Sequence, residues 1–288
     1  MAKKLDGRKA ATAKKKELKR KVQALREKGI EPNLAIIRIG NRPDDIAYEN
    51  SAIRHAKSIG IKTEKHVLQT DATQQALLAV IRMLNKDDFV HGILLMRPLP
   101  GHIMEEEVVE AIDPAKDTDG LTDISAAGVF EGMDKGYPPC TSSACLALLE
   151  HYGIEIEGKR VVIIGRSMVA GRPLAMQFLN ADATVTICHT KTAEEDILKF
   201  CHEADIICVA TGRKNTLTLE HTRPGQTIID VGIHIDRKGH IYGDVDYDRI
   251  EPVVGAISPV PGGVGSVTTT MLMEHILKAA EKSIEQEL

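Results

Sequence analysis

Four short runs of β-branched and apolar residues follow one another in the second half of the chain, separated by turns or helical patterns. These runs are Arg160–Ile164, Thr184–Cys188, Asp205–Ala210 and Thr227–Val231. Short apolar runs between helical segments predict parallel strands that are covered by helices on both faces. We therefore expect an α/β chain with a doubly wound, Rossmann-like parallel sheet in this half.

The first half alternates in the same way but less regularly. Apolar runs at Leu34–Ile39, Ile61–Leu68 and 89–96 predict further strands. Helices are expected at 12–29, at 72–85 and at 266–285. The segment near 120–141 is rich in Gly, Asp and Pro, and we interpret it as a domain boundary because 288 residues suit two domains.

Composition and charge exclude several classes of protein and of site. No apolar run approaches the roughly 18 residues that a membrane span needs. A formal net charge of −4 gives no overall field that would favour nucleic acid or an anionic membrane.

Five cysteines without a C-x-x-C pair indicate neither a zinc site nor a disulfide framework, so no metal is expected. The Lys-rich start lacks the apolar core of a secretory signal and contains acidic residues, which favours a cytoplasmic protein.

The segment Gly165–Pro173 directly follows the predicted strand Arg160–Ile164. Gly165 would let the backbone turn tightly, and Gly171 would permit the close approach of a ligand or of helix to strand. The free N–H groups at the start of the next helix would bind a pyrophosphate. Because the segment is not G-x-G-x-x-G, an ordinary tight connection between strand and helix is the alternative.

The end of the next strand favours NADP over NAD. An NAD site needs an acidic residue about 20 residues after the turn, to hold the ribose 2′-hydroxyl. This strand instead ends at His189-Thr190-Lys191-Thr192. Thr190 and Lys191, together with Arg166, would bind a 2′-phosphate. The alternative is that Lys191 only ends a strand in solvent.

Motifs over nearly the whole chain resemble the FolD family, the bifunctional methylenetetrahydrofolate dehydrogenase/methenyltetrahydrofolate cyclohydrolases. The matching segments are Tyr48 with Gly60-Ile61, Pro98-Leu99-Pro100, Lys116–Gly120, Pro139-Cys140-Thr141, Gly165-Arg166-Ser167 with Val169–Pro173, Asp230–Ile233, Gly243–Asp246 and Pro259–Gly265. They occur in the family's order, and the Pro259–Gly265 run (PVPGGVG) is highly specific.

The resemblance implies an architecture. Residues 1–141 would form a catalytic, folate-binding domain that is completed by the C-terminal helix 272–288. Residues 142–271 would form the Rossmann-like NADP domain. The active site would lie in the cleft between them, and two copies would form a homodimer through the nucleotide-binding domains.

The resemblance also implies roles for individual residues. Tyr48 would stack on the substrate and Asp119 would make a polar contact to the pterin, so these two are the catalytic candidates. The loop Pro261-Gly262-Gly263 would also contact the folate. The cofactor candidates are Gly165, Arg166, Ser167, Thr190 and Ile233, the last near the nicotinamide, and the arguments above add Gly171 and Lys191.

The chain departs from the family pattern at active-site positions. The family helix reads Tyr-x-x-x-Lys, whereas the position four residues after Tyr48 is Ala52. The family's Gln before Pro-Leu-Pro is replaced by Met96, with Arg97 beside it. The family's His-Pro-x-Asn is replaced by Thr122-Asp123-Ile124-Ser125.

These departures bear differently on the two family activities. Hydride transfer from the methylene carbon to NADP⁺ needs positioning but no protein base. Ring opening by water needs proton transfer, for which a lysine is suited and Ala52 is not. Arg54 would face another side of its helix, and Arg97 would point to the opposite face of its strand from Met96. We therefore expect a methylenetetrahydrofolate dehydrogenase whose hydrolytic activity is weak, absent or run by unusual residues.

Two other functions are compatible with these departures. One is a non-catalytic paralogue that binds folate or nucleotide, and the other is an oxidoreductase with a different substrate. Separate titrations with tetrahydrofolate and NADPH would distinguish them.

Overall fold

The computed structural model of the chain describes residues 1–236 and 239–286. Its strands are β1 (Lys3–Lys4), β2 (Asn33–Ile39), β3 (Lys62–Leu68), β4 (Gly92–Leu95), β5 (Arg160–Ile164), β6 (Thr184–Cys188), β7 (Ile206–Val209), β8 (Thr227–Asp230), β9 (His234–Ile235), β10 (Ile241–Tyr242) and β11 (Ala256–Ile257). Its helices are α1 (Gly7–Glu27), α2 (Pro43–Ile59), α3 (Gln74–Asn85), α4 (Glu105–Glu110), α5 (Asp123–Glu131), α6 (Cys140–His151), α7 (Gly171–Asn180), α8 (Glu194–Glu203), α9 (Tyr247–Ile250) and α10 (Gly265–Gln286). Across the described ranges, no helix combines the length and the apolar character that crossing a bilayer requires.

The chain divides into two compact units. The six-stranded unit comprises Met1–Thr12 and Pro139–Thr268, and the three-stranded unit comprises Ala13–Pro138 and the segment from Thr269 onward. Both division points near the chain ends fall inside helices, so α1 and α10 each contribute residues to both units. Residues 1–12, which the sequence placed in the first domain, lie in the six-stranded unit because β1 pairs with β11.

The main sheet of the six-stranded unit has the order β1-β11-β8-β7-β5-β6, and every neighbouring pair in it is parallel. In the same unit, β9 and β10 form a separate antiparallel pair. The four runs predicted in this half are its strands β5 to β8, with ends within one residue of those expected. The α/β class and the Rossmann-like parallel sheet are therefore confirmed. The strand order reverses between β5 and β7, and in sheets of this kind ligands bind at the carboxyl ends of the strands at that point.

The core of this sheet explains why its strands read as apolar runs. The inner strands β7 and β8 are buried along their whole length, as parallel strands between helical layers must be. On one face Val162 and Ile207 pack in a cluster with Cys201 of α8. The edge strand β6 is more exposed than its neighbour β5.

The three-stranded unit contains the parallel sheet β3-β2-β4. Its central strand β2 is buried from Leu34 to Ile39. Ile37 packs in a core cluster with Leu77 and Ile81 of α3. Because side chains alternate along a strand, Arg38 lies on the opposite face of the sheet from Ile37.

Several elements differ from the sequence expectation. Helix α1 begins at Gly7, five residues before the expected 12–29. Helix α5 lies inside the Gly- and Asp-rich segment that we interpreted as a boundary. The two-residue strands β1 and β11 were not expected, because their pairing joins the first residues of the chain to residues 256–257 and leaves no local pattern.

Candidate active site

Helix α2 positions Tyr48 and has a stabilising feature at each end. Pro43 lies in its first turn, where a missing N–H costs nothing, and Gly60 ends it at a φ of 101°. Tyr48 is 36% exposed. The buried residues of the helix form one face: Asp45, Glu49, Ala52, Ala56 and Ile59.

A pocket of about 310 Å³ opens in the three-stranded unit, where β4 ends and α2 begins. Two predicted substrate residues, Tyr48 and Asp119, both line it, and so does Met96. The other lining residues are Arg42, Asp44, Asp45, Leu94, Leu95 and Arg97. The structure therefore brings together the two catalytic candidates and one of the departures from the family pattern.

The segment that carries Asp119 is held by the buried carboxylate of Asp117. That carboxylate accepts hydrogen bonds from the backbone N–H of Thr122 at 2.8 Å and from Ser125 Oγ at 2.6 Å. Thr122 also caps α5 by accepting from the backbone N–H of Ser125. Ser125, which stands where the family has Asn, is thus a buried structural residue in this chain.

The other departures from the pattern involve Ala52 on α2 and Arg97, which follows β4. Ala52 is fully buried on α2. Its side chain is a methyl group, which has no atom that could transfer a proton. Arg97 lines the pocket, although strand alternation predicted that it would point away, because β4 already ends at Leu95. Its Nη1 lies 2.9 Å from Glu105 Oε1. The guanidinium of Arg97 is therefore paired with α4.

A buried ion pair that was not expected from the sequence joins β2 to α2. Arg38 Nε donates to Glu49 Oε2 at 2.8 Å, and Lys65 Nζ lies 3.4 Å from Glu49 Oε1. Arg38 also donates to the carbonyl of Gly40 and to Asn41 Oδ1. It therefore ties α2 to the β2–α2 connection. The signal in the sequence was a lone arginine within the apolar run Leu34–Ile39.

In the six-stranded unit, the predicted phosphate-binding turn follows β5. The backbone N–H of Gly165 donates to the carbonyl of Cys188 at 2.9 Å, and its φ is 131°. A Cβ at Gly165 would lie 2.2 Å from the carbonyl oxygen of Ala210. A Cβ at Gly171 would lie 2.2 Å from the carbonyl oxygen of Gly165. Both positions therefore exclude any side chain.

The residues of this turn fit the pyrophosphate of a dinucleotide. Within the described residues, the backbone N–H groups of Arg166 and Ser167 donate to no backbone carbonyl. Ser167 Oγ accepts from the backbone N–H of Ala170 at 3.2 Å, which fixes the turn. The ten-residue helix α7 starts at Gly171 and directs its positive end toward the turn.

Three predicted residues lie at the ends of the neighbouring strands β5 and β6. Arg166, Thr190 and Lys191 are all exposed. The strands run in register, with Ile164 opposite Cys188, so these side chains follow the same edge of the sheet. The β6–α8 connection contains no acidic residue before Glu194, which begins the helix. The surroundings therefore suit a 2′-phosphate better than a 2′-hydroxyl.

A buried carboxylate holds the loops after β8, a role that the sequence did not reveal. Asp230 accepts hydrogen bonds from the backbone N–H groups of Gly232, Asp244 and Val245 at 3.0 to 3.1 Å. A Cβ at Gly243 would collide with the carboxylate of Asp230. Burial raises the pKa of Asp230 to about 6.

Asp244 extends this network to the end of β7. Its Oδ2 accepts from the backbone N–H of Thr211 at 2.7 Å and of Gly212 at 3.0 Å. Its Oδ1 lies 2.7 Å from His234 Nε2. The segments Asp230–Ile233 and Gly243–Asp246 therefore form one hydrogen-bonded support at the carboxyl edge of the sheet.

The remaining predicted residues also belong to the six-stranded unit. Ile233 is 59% exposed. In the Pro261-Gly262-Gly263 loop, the carbonyl of Gly262 accepts from the backbone N–H of Gly7 at 2.8 Å. The predicted residues thus form two groups: Tyr48 and Asp119 in the three-stranded unit, and the others in the six-stranded unit.

Neither a metal site nor a reactive thiol is found among these residues. In residues 1–236 and 239–286, no three His, Cys, Asp or Glu side chains are grouped so that they could hold a metal ion. All five cysteines are buried and free. Burial raises the pKa of Cys188 to about 11, and the pKa values of Cys145 and Cys201 to about 12.

Comparisons with known proteins agree with this geometry. The catalytic domain profile of tetrahydrofolate dehydrogenase/cyclohydrolase matches residues 5–119, and the NAD(P)-binding domain profile of the same family matches residues 139–284. The bifunctional protein FolD of Alkaliphilus oremlandii is 44% identical over 96% of both chains. The FolD of Carboxydothermus hydrogenoformans is 44% identical over 98% of both.

Solved structures show the same likeness. The FolD methylenetetrahydrofolate dehydrogenase/cyclohydrolase of Campylobacter jejuni is 41% identical, with a TM-score of 0.94, over 98% of this chain and 99% of that one. The Trypanosoma brucei FolD, solved with NADP and an inhibitor, is 36% identical over 98% of both chains, with a TM-score of 0.90. On the evidence of its folded units, its glycine turn and these relatives, the chain belongs to the tetrahydrofolate dehydrogenase/cyclohydrolase family.

Proposed function

We propose that the protein oxidises 5,10-methylenetetrahydrofolate to 5,10-methenyltetrahydrofolate in one-carbon metabolism, with NADP⁺ as hydride acceptor. The main support is that the pocket keeps Tyr48 and Asp119 together while the turn at Gly165 and Gly171 stays free of side chains. The Campylobacter jejuni and Trypanosoma brucei relatives are named for both family activities, and the Trypanosoma brucei relative was solved with NADP and an inhibitor.

Hydride transfer requires positioning rather than a protein base. The C–H bond of the methylene group breaks, and both electrons leave with the hydrogen. The lone pairs of N5 and N10 stabilise the cation that remains, so no proton has to be removed. Tyr48 would stack on the substrate and Asp119 would hold the pterin, which sets the distance and angle of transfer.

The six-stranded unit offers the residues that would hold NADP. Gly165, Arg166, Ser167 and Gly171 would surround the pyrophosphate. Thr190 and Lys191 would bind the 2′-phosphate, and Ile233 would lie near the nicotinamide. When bound, the cofactor supplies the ring carbon that accepts the hydride.

The hydrolytic half of the family's chemistry lacks its usual group. Water attack on the methenyl carbon and opening of the ring both move protons, and a lysine is the family's residue for this step. Here that position is the buried methyl group of Ala52, and Arg97 is paired with Glu105. An arginine stays protonated, so it could not act as the acid in any case. We therefore propose a dehydrogenase whose cyclohydrolase activity is weak.

The proposal includes a homodimer in the cytoplasm, formed through the six-stranded units. Strand β6 is an edge of its sheet, and Ile187 on it is 37% exposed. Leu179 on α7 is 53% exposed. An apolar edge of this kind suits burial against a second copy. Neither nucleic acid nor a membrane is part of the proposal.

The departures at Ala52, Met96 and Ser125 favour one second candidate, a protein that binds folate or nucleotide without turnover. An assay of NADPH formation from methylenetetrahydrofolate and NADP⁺ decides between the two. We expect turnover, with NAD⁺ as the poorer acceptor. Binding of both ligands without formation of NADPH would favour the second candidate. Nucleotide binding without folate binding would indicate an oxidoreductase with another substrate.

A further inference from the structure

The pocket beside Tyr48 contains a buried carboxylate that none of the roles above uses. Asp45 lines the pocket and is 6% exposed. It lies in the first turn of α2, where the helix dipole favours a negative charge. Within the described chain it accepts no hydrogen bond from another residue, and its one ion-pair partner is Arg42.

Asp45 differs in this respect from Glu49, one turn further along the same buried face. Both oxygens of Glu49 are engaged, one by Arg38 at 2.8 Å and the other by Lys65 at 3.4 Å. The charge of Glu49 is thus compensated within the protein. Asp45 is the nearly buried carboxylate that remains available to a ligand in the pocket.

Arg42 compensates Asp45 only in part. Its Nε lies 3.6 Å from Asp45 Oδ2, beyond the length of a hydrogen bond, and its Nη1 donates to the carbonyl of Pro98 at 2.9 Å. The Arg42 side chain is 46% exposed, whereas that of Asp45 is 8% exposed. Water therefore screens the cation more strongly than the carboxylate.

In the proposed reaction, positive charge develops on the folate as the hydride leaves. The methylene substrate is neutral at the one-carbon bridge, and the loss of a hydride leaves an amidinium cation over N5, the carbon and N10. A nearby ammonium would oppose this change, but Ala52 provides none. A fixed carboxylate would favour the change, because it interacts more strongly with the transition state than with the neutral substrate.

We propose that the carboxylate of Asp45 stabilises the positive charge that hydride transfer leaves on the one-carbon bridge of the folate. This proposal rests on the proposed function. The C–H bond breaks, the hydrogen passes to the nicotinamide together with both bonding electrons, the folate is oxidised and NADP⁺ is reduced. No proton is transferred, so Asp45 acts by its charge alone.

Kinetics of Asp45→Asn test this role, because the amide keeps the shape of the side chain and removes the charge. We expect kcat to fall about 10- to 100-fold, with KM for the neutral substrate within about threefold of the unaltered value. Asp45→Glu should recover most of the rate. Glu106→Gln, which removes an exposed carboxylate from the first turn of α4, is the control and should leave kcat unchanged.

Ligand binding separates an electrostatic role from a structural one. Asp45→Asn should weaken binding of the cationic methenyl compound about 10-fold and leave binding of neutral tetrahydrofolate unchanged. An unchanged kcat, or equal losses for both ligands, would overturn the proposal. If the unaltered protein formed no NADPH, the proposed function would fail, while the difference between the two ligands would still report on Asp45.

Discussion

Arg38 Nε lies 2.8 Å from Glu49 Oε2, and both side chains are less than one-tenth exposed. Removing Arg38 would leave the buried carboxylate of Glu49 with the half-exposed Lys65 ammonium at 3.4 Å as its remaining partner, which compensates a buried charge poorly. We expect Arg38→Met to lower the free energy of unfolding by about 3–5 kcal/mol, and the double variant with Glu49→Met to recover most of that loss. Urea denaturation measures both changes.

The control for this prediction is an exposed ion pair. Lys159 Nζ lies 3.2 Å from Glu155 Oε2, with side chains 38% and 81% exposed. Lys159→Met should cost less than about 1 kcal/mol. Equal effects at the two sites would contradict the claim that burial makes the Arg38 pair important.

His275 makes stability depend on pH. Burial lowers its pKa to about 4, and its Nδ1 donates to the carbonyl of Thr118 at 2.9 Å. Since the unfolded chain binds this proton near pH 6.5 and the folded chain does not, stability is lost as the pH falls from about 6.5 to about 4. We expect this group to account for about 2 kcal/mol between about pH 7 and about pH 5.

Between about pH 7 and about pH 5, the unfolding free energy of His275→Gln should fall by about 2 kcal/mol less than that of the unaltered protein. Asp230 has the opposite sign, because its raised pKa means that the folded state gains stability as the pH falls toward about 4. Asp230→Asn should therefore steepen the loss of stability in acid. Identical pH profiles for His275→Gln and the unaltered protein would contradict the assignment.

Ala52→Lys should increase hydrolysis of the methenyl compound by about 10²–10⁴-fold, since it supplies an amine one turn from Tyr48. Because Ala52 is fully buried, the longer side chain should also cost about 1–3 kcal/mol of stability. A stopped assay that separates methenyl from formyl products measures the gain. Ala52→Met is the matched control for size, and an equal gain with methionine would exclude a role for the amine.

Lys191 and Arg166 should determine the preference for NADP. Replacing either by Ala should weaken NADPH binding about 10-fold or more, because each removes a charge-assisted contact to the 2′-phosphate, and should leave NADH binding nearly unchanged. Isothermal titration with both nucleotides measures this. Lys199→Ala, an exposed lysine on α8, is the control. Equal losses for NADPH and NADH would argue against a 2′-phosphate site.

The sequence predicted the features that leave a local pattern. Strands β5 to β8 are runs of β-branched residues, and the turn at Gly165 must be glycine because any Cβ would meet the backbone of Ala210. The short strands β1 and β11 could not be predicted, because they exist only through their pairing with distant segments.

In the candidate site, the sequence showed which residues differ from the family but not what surrounds them. Tyr48 and Asp119 could be proposed from motifs, whereas the exposed fraction of a carboxylate depends on packing. Asp45 and Glu49 look alike in the sequence, and they are distinguished by Arg38 and Lys65, which lie on strands β2 and β3 and pair with Glu49. The burial of Asp45 and its partial compensation by Arg42 could therefore be recognised only in the folded structure.

Because each unit is built from two separate segments of the chain, a single division between residues 138 and 139 does not give two complete units. A fragment ending at Pro138 would lose Leu272, Ile276 and the rest of α10 that fills the three-stranded core. A fragment starting at Pro139 would lack β1 and expose the edge of β11. Independent expression of either half will therefore need a rearranged gene, in which the terminal segments are rejoined to their own unit by short linkers.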